Sequence, residues 1–308
     1  MGHSFPMPNL ALYAVCVLIW GTTWFAITAQ IAVLAPEPGV AIRFALAACV
    51  LFAFCGLRGI ALRFPARTHA WFLAQGLASF CASYICIYAA ERHVVSGVVA
   101  VGYAAAPLVM LVLARVFLQT PMSRRIAVGG VAGLAGVALI FGHEFARMAA
   151  SPSVLRGATL TAAAVLLSGL GTIAAARYHR LGVYGWAPLA WGMAYGAGAS
   201  ALAALALGRP WAWSWSAPFL GSLAYLVFMG SVAAFGAYYA LVRRIGPAKA
   251  GYNGVVTPVV ALAVSSMLEG FDWTGATVAG VALAIAGNVV AMWPTASRQQ
   301  PDAVESVM

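Results

Sequence analysis

Runs of about twenty apolar residues follow one another through this chain, near 10–30, 37–57, 69–90, 94–114, 124–142, 155–177, 184–207, 215–241, 247–268 and 274–293. A helix of that length crosses the roughly 30 Å hydrocarbon core of a bilayer. Inside lipid the backbone must bond to itself, and runs this long exceed a barrel strand, so the spans are helices. The chain is 63% hydrophobic and 8% charged, where a soluble domain carries about 25% charged residues. The expected fold class is therefore an all-α membrane protein with ten transmembrane helices and no soluble domain.

The runs also repeat. Gly97-Val98-Val99-Ala100 leads through Tyr103 and Pro107 to Gln119, and Gly251-Tyr252-Asn253-Gly254 leads through Pro258 to Glu269. Each is an apolar helix with a proline inside it, and the two prolines lie 151 residues apart. A further span with Gly-Val-Ala follows each, at Gly130-Val131-Ala132 and Gly280-Val281-Ala282. Self-similarity at that spacing reads as two copied halves. The expected organisation is a five-helix repeat over 1–150, a second over 151–293, and a disordered tail over 294–308. Five spans are an odd number, so the second half enters the membrane from the opposite side. Such inverted repeats place a substrate site near the midplane, between the halves.

The net charge of +10 does not point to nucleic acid, because the cations sort by membrane side. With the N-terminus inside, Arg58, Arg63, Arg67, Arg115, Arg124, Arg125, Arg177, Arg180, Arg243, Arg244, Lys249 and Arg298 are cytoplasmic, against Arg92, Arg147, Arg156 and Arg209 outside. That bias predicts both termini in the cytoplasm. The five cysteines, Cys16, Cys49, Cys55, Cys81 and Cys86, sit in apolar helices without metal-ligand spacing and read as packing residues. No cofactor and no metal are expected.

Candidate substrate-binding residues are polar or aromatic groups at depth. Trp20 and Trp24 share one helix face, as do Tyr84 and Tyr88, since residues four apart are neighbours on a helix. Ser168 stands where the first half has Trp20, and Tyr239 stands where it has Tyr88. Arg43 is a cation within a span, which usually marks a wet interior or snorkels to the surface. Trp191 occupies the matching place in the second half. Tyr103 lies one turn before Pro107 and Asn253 a little more than one turn before Pro258, so both are expected beside a kink that frees backbone carbonyls. The glycine-rich spans holding Gly129, Gly133, Gly136, Gly275, Gly280 and Gly287 read as scaffold, with a face for a weak homodimer.

Trp20-Gly21, Arg43-Phe44, Ala106-Pro107-Leu108, Thr257-Pro258-Val259-Val260-Ala261 and Glu269, in this order on ten spans, resemble the EamA-type transporters of the drug/metabolite transporter superfamily. The aromatic residues make the chain most similar to the YddG-type exporters of aromatic and neutral amino acids. The resemblance implies export of small metabolites across a bacterial inner membrane by alternating access. Ser168 and Gln119 depart from the family pattern, which commonly has an aromatic and a glutamate there. Other readings of the same fold are a multidrug, organic-cation or nucleoside exporter, and of another class a channel-like or structural membrane protein. The acids Glu37, Glu91, Glu144, Glu269, Asp272, Asp302 and Glu305 all lie away from mid-span, which speaks against a carboxylate proton relay and for uniport. No paired aspartates or His-Glu cluster lie within the spans, and Ser168 has no neighbouring base, so enzyme chemistry is not expected.

Overall fold

The computed structural model describes residues 7–119, 124–148, 152–251, 253–270 and 273–292. Regular structure among these residues is helical, with no strand. In chain order the helices are α1 (Asn9–Ile31), α2 (Pro36–Leu57), α3 (Ala66–Ala90), α4 (Ser96–Leu118), α5 (Arg124–Met148), α6 (Pro152–Arg180), α7 (Trp186–Ala206), α8 (Ala217–Pro247), α9 (Asn253–Leu268) and α10 (Gly275–Met292). Seven of them, α1–α4 and α6–α8, are long and apolar enough to cross a membrane. The apolar stretches of the other three are shorter: Ala127–Gly136, Val256–Leu268 and Gly275–Gly287. The expected tail over 294–308 lies outside the described residues.

Proline starts several helices, because its missing N–H would be unpaired in a first turn anyway. Pro8 and Pro65 immediately precede α1 and α3, and Pro36 opens α2. Glycine ends α2 and α7 in the same way. Gly59 (φ 63°) and Gly208 (φ 61°) take the left-handed conformation that a side chain disfavours. The next N–H in each case turns back onto the helix, Ile60 to the Cys55 carbonyl at 2.9 Å and Arg209 to the Ala204 carbonyl at 2.8 Å.

Another pair of local features recurs about half a chain apart. A π-helical turn interrupts α3 at Gly76–Ala82 and α8 at Leu226–Ala233. The expected kink at Pro107 is present as a change of winding: a 3-10 turn, Tyr103–Ala105, comes immediately before the helix that carries the proline. The second half differs. Pro258 lies inside α9 without an interruption of helical geometry at it, and the break falls earlier, at Gly246 (φ 81°, ψ 161°) before Pro247. Pro258 deletes only the donor that would reach the Gly254 carbonyl, and the helix continues past that single lost bond.

Small residues set the helix crossings. A Cβ at Gly21 of α1 would lie 2.5 Å from the Val260 side chain of α9. A Cβ at Gly136 of α5 would lie 2.4 Å from the Gly280 carbonyl oxygen, and one at Gly287 of α10 would lie 2.4 Å from the Gly129 carbonyl oxygen. The glycine faces of α5 and α10 therefore pack against each other within the chain. The exterior is apolar where it meets no other helix: Leu10, Leu57 and Met267 are 79–89% exposed. A surface of that kind is at home in lipid, and the chain is an integral membrane protein.

Candidate functional site

One cavity lies among α1, α3, α4, α6, α8 and α9. In the repeat expected from the sequence these would form three pairs: first with sixth, third with eighth, fourth with ninth. Its volume is about 100 Å³, against the roughly 10–15 Å³ that one water needs on that measure, so it has room for a small organic molecule. Helix α1 brings Trp20, Thr23, Trp24 and Ile27 to it, α3 brings Ser79, Ser83 and Tyr84, and α4 brings Tyr103. From the other half come Ser168 and Thr172 of α6, Phe235, Tyr238 and Tyr239 of α8, and Asn253, Gly254 and Thr257 of α9. None of the described lining residues is charged.

The aromatic wall is held by its own contacts. The Trp20 indole N–H donates to the Gly230 carbonyl at 3.2 Å, and its ring meets Phe235 and Tyr238 with centroids 5.1 and 5.2 Å away. Edge and tilted contacts of this kind suit the ring quadrupoles. Trp24 meets Tyr103 at 5.1 Å. The Tyr103 hydroxyl is 3.2 Å from the Ser83 hydroxyl, which donates to the Ala164 carbonyl at 2.9 Å. Gly254 lets α9 approach the 3-10 turn of α4, since a Cβ there would lie 2.4 Å from the Tyr103 carbonyl oxygen.

Some lining groups have no such anchor. The Trp24 indole N–H, both ends of the Asn253 carboxamide and the Thr257 hydroxyl are buried without a hydrogen-bond partner among the described residues. Buried polar groups are nearly always paired, so each such exception calls for an explanation.

Trp20, Trp24, Tyr84, Tyr103, Ser168, Tyr239 and Asn253 thus share one cavity. Arg43, Tyr88 and Trp191 do not line it, which corrects their expected places. Arg43 and Trp191 belong to α2 and α7, and those helices pack on each other outside the cavity-lining set. Arg43 is 1% exposed, so it does not snorkel to the surface. Its Nε donates to the Ser231 hydroxyl at 3.0 Å, inside the π turn of α8. Its guanidinium lies over the Tyr84 ring at 4.6 Å and near Phe44 at 5.2 Å, so aromatic faces surround the cation. Arg43 stands behind Tyr84, one layer back from the cavity. Tyr88 is 1% exposed and packs on α2, where a Cβ at Gly39 would lie 3.2 Å from its ring. Trp191 donates to the Leu62 carbonyl at 3.0 Å and meets Phe52 and His69 at 5.0 and 4.8 Å, which fastens the α2–α3 loop to α7.

Replacing Arg43 with alanine is accordingly expected to lower transport of charged and uncharged substrates by the same factor, measured as ratios of initial rates at matched protein levels. A selective loss for carboxylate-bearing substrates would return the guanidinium to the substrate's path.

The sequence reading missed Thr23, Ser79, Ser83, Thr172, Phe235, Tyr238 and Thr257. Spacing carried part of the signal: Thr23 lies three residues beyond Trp20, Thr172 four beyond Ser168, and Thr257 four beyond Asn253, all on shared faces.

At one end of α9, Glu269 accepts hydrogen bonds from Ser96 at the start of α4 and from Ser265. Nearby, burial pushes the Glu91 carboxyl up, the facing Glu269 adds to that, and Arg43 opposes it. Gln119, at the matching end of α4, is exposed and takes a left-handed backbone (φ 54°). The polar tie between the fourth and ninth helices is therefore at the Glu269 end.

Residues 8–142 match the EamA-like transporter family. The inner membrane transporter YedA of Escherichia coli (strain K12), itself uncharacterized, is 30% identical over 263 residues, which is 84% of this chain and 82% of YedA. The chain belongs to the EamA family. Protein PagO of Salmonella typhimurium (strain LT2) is 29% identical to this EamA protein over 108 residues, 35% of the chain and 36% of PagO. A solved crystal structure superposes with a TM-score of 0.73 at 20% identity, covering 92% of this chain and 96% of the other, and so shares the EamA chain's fold.

Proposed function

We propose that the chain is a secondary transporter that carries neutral amino acids, aromatic ones included, or similar small metabolites out of the cell by alternating access and without ion coupling. The observation that carries this reading is the cavity: aromatic faces and hydroxyls, no charged group among the described lining residues, and walls drawn from α1, α3, α4, α6, α8 and α9. Rings give area for an apolar side chain, and a few polar groups fix orientation. Ten spans in two inverted repeats, 1–150 and 151–293, with both termini in the cytoplasm, complete the reading. The matched π turns and glycine caps support the repeat, and the name of the relative YedA supports transport at an inner membrane. The Glu269 tie would hold one end closed while the cavity communicates with the other. No acid is among the described lining residues, which favours neutral cargo over organic cations.

Trp20→Ala and Tyr84→Ala are each expected to lower uptake of labelled neutral substrates into proteoliposomes about tenfold or more, with unchanged elution on size exclusion. Wild-type rates in both variants would remove the cavity from the transport path.

A further inference from the structure

The cavity leaves a particular set of polar groups unpaired, at the start of α9. Asn253 is 2% exposed, lines the cavity, and has neither its Nδ2 donor nor its Oδ1 acceptor matched among the described residues. Thr257, one turn along α9 on the same face, is 3% exposed with its hydroxyl unmatched. Trp24 brings a further unmatched donor to the same cavity from α1, which packs on α9. Trp20, Tyr103 and Ser83 have found protein partners.

Asn253 is also the first residue of α9. Gly251 and Gly254 line the cavity beside it, and neither has a side chain to cover the turn. The start of a helix carries partial positive charge, and broken helices in transporters aim such starts at anionic substrate groups. The site thus offers donors and a positive helix end beside one acceptor and one hydroxyl.

A lone anion would use the donors but leave the Asn253 Oδ1 unmatched, and its charge would be uncompensated in a space whose described lining is uncharged. A lone cation would use Oδ1 but leave the donors unmatched and face the positive helix end. An uncharged donor–acceptor edge would pair the carboxamide and gain little from the helix start. A zwitterion uses every part: its carboxylate accepts, its ammonium donates, and its net charge is zero.

We propose that the first turn of α9 reads the charged head of a neutral amino acid. The α-carboxylate accepts from the Asn253 Nδ2 beside the helix start, and the α-ammonium donates to the Asn253 Oδ1 and the Thr257 hydroxyl. The substrate's side chain is left to the ring faces of Trp20, Tyr84 and Phe235. This rests on the transport reading above and narrows its cargo from small neutral metabolites to free α-amino acids.

The test uses purified full-length protein, in lipid nanodiscs for binding and in proteoliposomes for counterflow. The ligands are phenylalanine, phenethylamine without the carboxylate, N-acetylphenylalanine without the ammonium, and uridine with an uncharged donor–acceptor edge. The expected result is saturable binding of phenylalanine, about tenfold or more tighter than each of the other three, since a hydrogen bond to a charged group is worth about that factor. Asn253→Ala should weaken phenylalanine binding by a similar factor, and Thr257→Val, which keeps the shape and removes the hydroxyl, severalfold. Asn253→Asp should exchange the preference: it repels the carboxylate and draws the ammonium, so phenylalanine should bind more weakly and phenethylamine more tightly than to the wild type. A structural asparagine would not give that exchange. No saturable phenylalanine binding, uridine or either analogue bound as tightly as phenylalanine, or phenylalanine binding indifferent to Asn253→Ala would each overturn the inference. Phenylalanine counterflow that persists in those last two cases would leave the transport reading in place. Phenylalanine binding that depends on Asn253 without counterflow would uphold the inference and overturn the transport reading.

Discussion

Ser168→Trp is expected to stop transport while leaving the protein folded. Ser168 lines the cavity from α6 at the place where α1 carries Trp20. Its hydroxyl donates to the Val165 carbonyl of its own helix at 3.1 Å and also faces the Tyr103 hydroxyl of α4. An indole there would project into a space of about 100 Å³ already walled by Trp20, Tyr84 and Tyr103. The substrate would lose its place, and the initial rate in proteoliposomes should fall to the level of empty vesicles. The thermal midpoint should move by only a few degrees, because the ring enters empty volume. Ser168→Ala serves as the control and should keep most of the rate. Normal flux through the tryptophan variant would show that cargo passes elsewhere.

Gly136→Leu is expected to have the largest effect on stability. The Cβ alone would lie 2.4 Å from the Gly280 carbonyl oxygen and 2.9 Å from the Ala284 nitrogen. Both are backbone atoms, so no rotamer change relieves the clash, and α5 must move off α10. In lipid the attraction between helices is close packing, which small residues permit. Overpacking costs about 3 kcal/mol where backbone has to shift. The expected readout is a lower midpoint for thermal or detergent unfolding and a smaller yield of monodisperse protein. An unchanged midpoint would contradict the α5–α10 crossing.

The contrast between these variants reflects what the sequence made legible. Apolar run length gave the helices, while their ends at Gly59, Gly208 and Pro36 emerged only in the structure. The spacing of Pro107 and Pro258 is what suggests a repeat. What the sequence hid was direction. A helix in a membrane bundle is apolar toward lipid and toward its neighbours alike, so the 3.6-residue hydrophobic period that orients a surface helix is nearly silent. Only rings and polar groups point, and they point to any polar or aromatic partner. Arg43 looked like a cavity residue because a cation is unusual at depth, and Trp191 because it stands at the matching place in the expected repeat. The structure gives each a different partner, Ser231 and Tyr84 for the one, Leu62 and Phe52 for the other. Their helices, α2 and α7, pair with each other, and no sequence period announced that pairing. Asn253 was legible for a simpler reason: an amide inside an apolar span has few uses in lipid other than meeting a polar partner.

In the proposed transport cycle this cavity opens to one side of the membrane at a time. Counterflow tests it most directly. Proteoliposomes are loaded with unlabelled substrate, placed in labelled substrate, and held without a proton or sodium gradient. The expected result is a saturable, transient accumulation of label above its equilibrium level that Ser168→Trp abolishes. Label that only equilibrates, at a rate linear in concentration and indifferent to the unlabelled pool inside, would describe a channel and contradict the account.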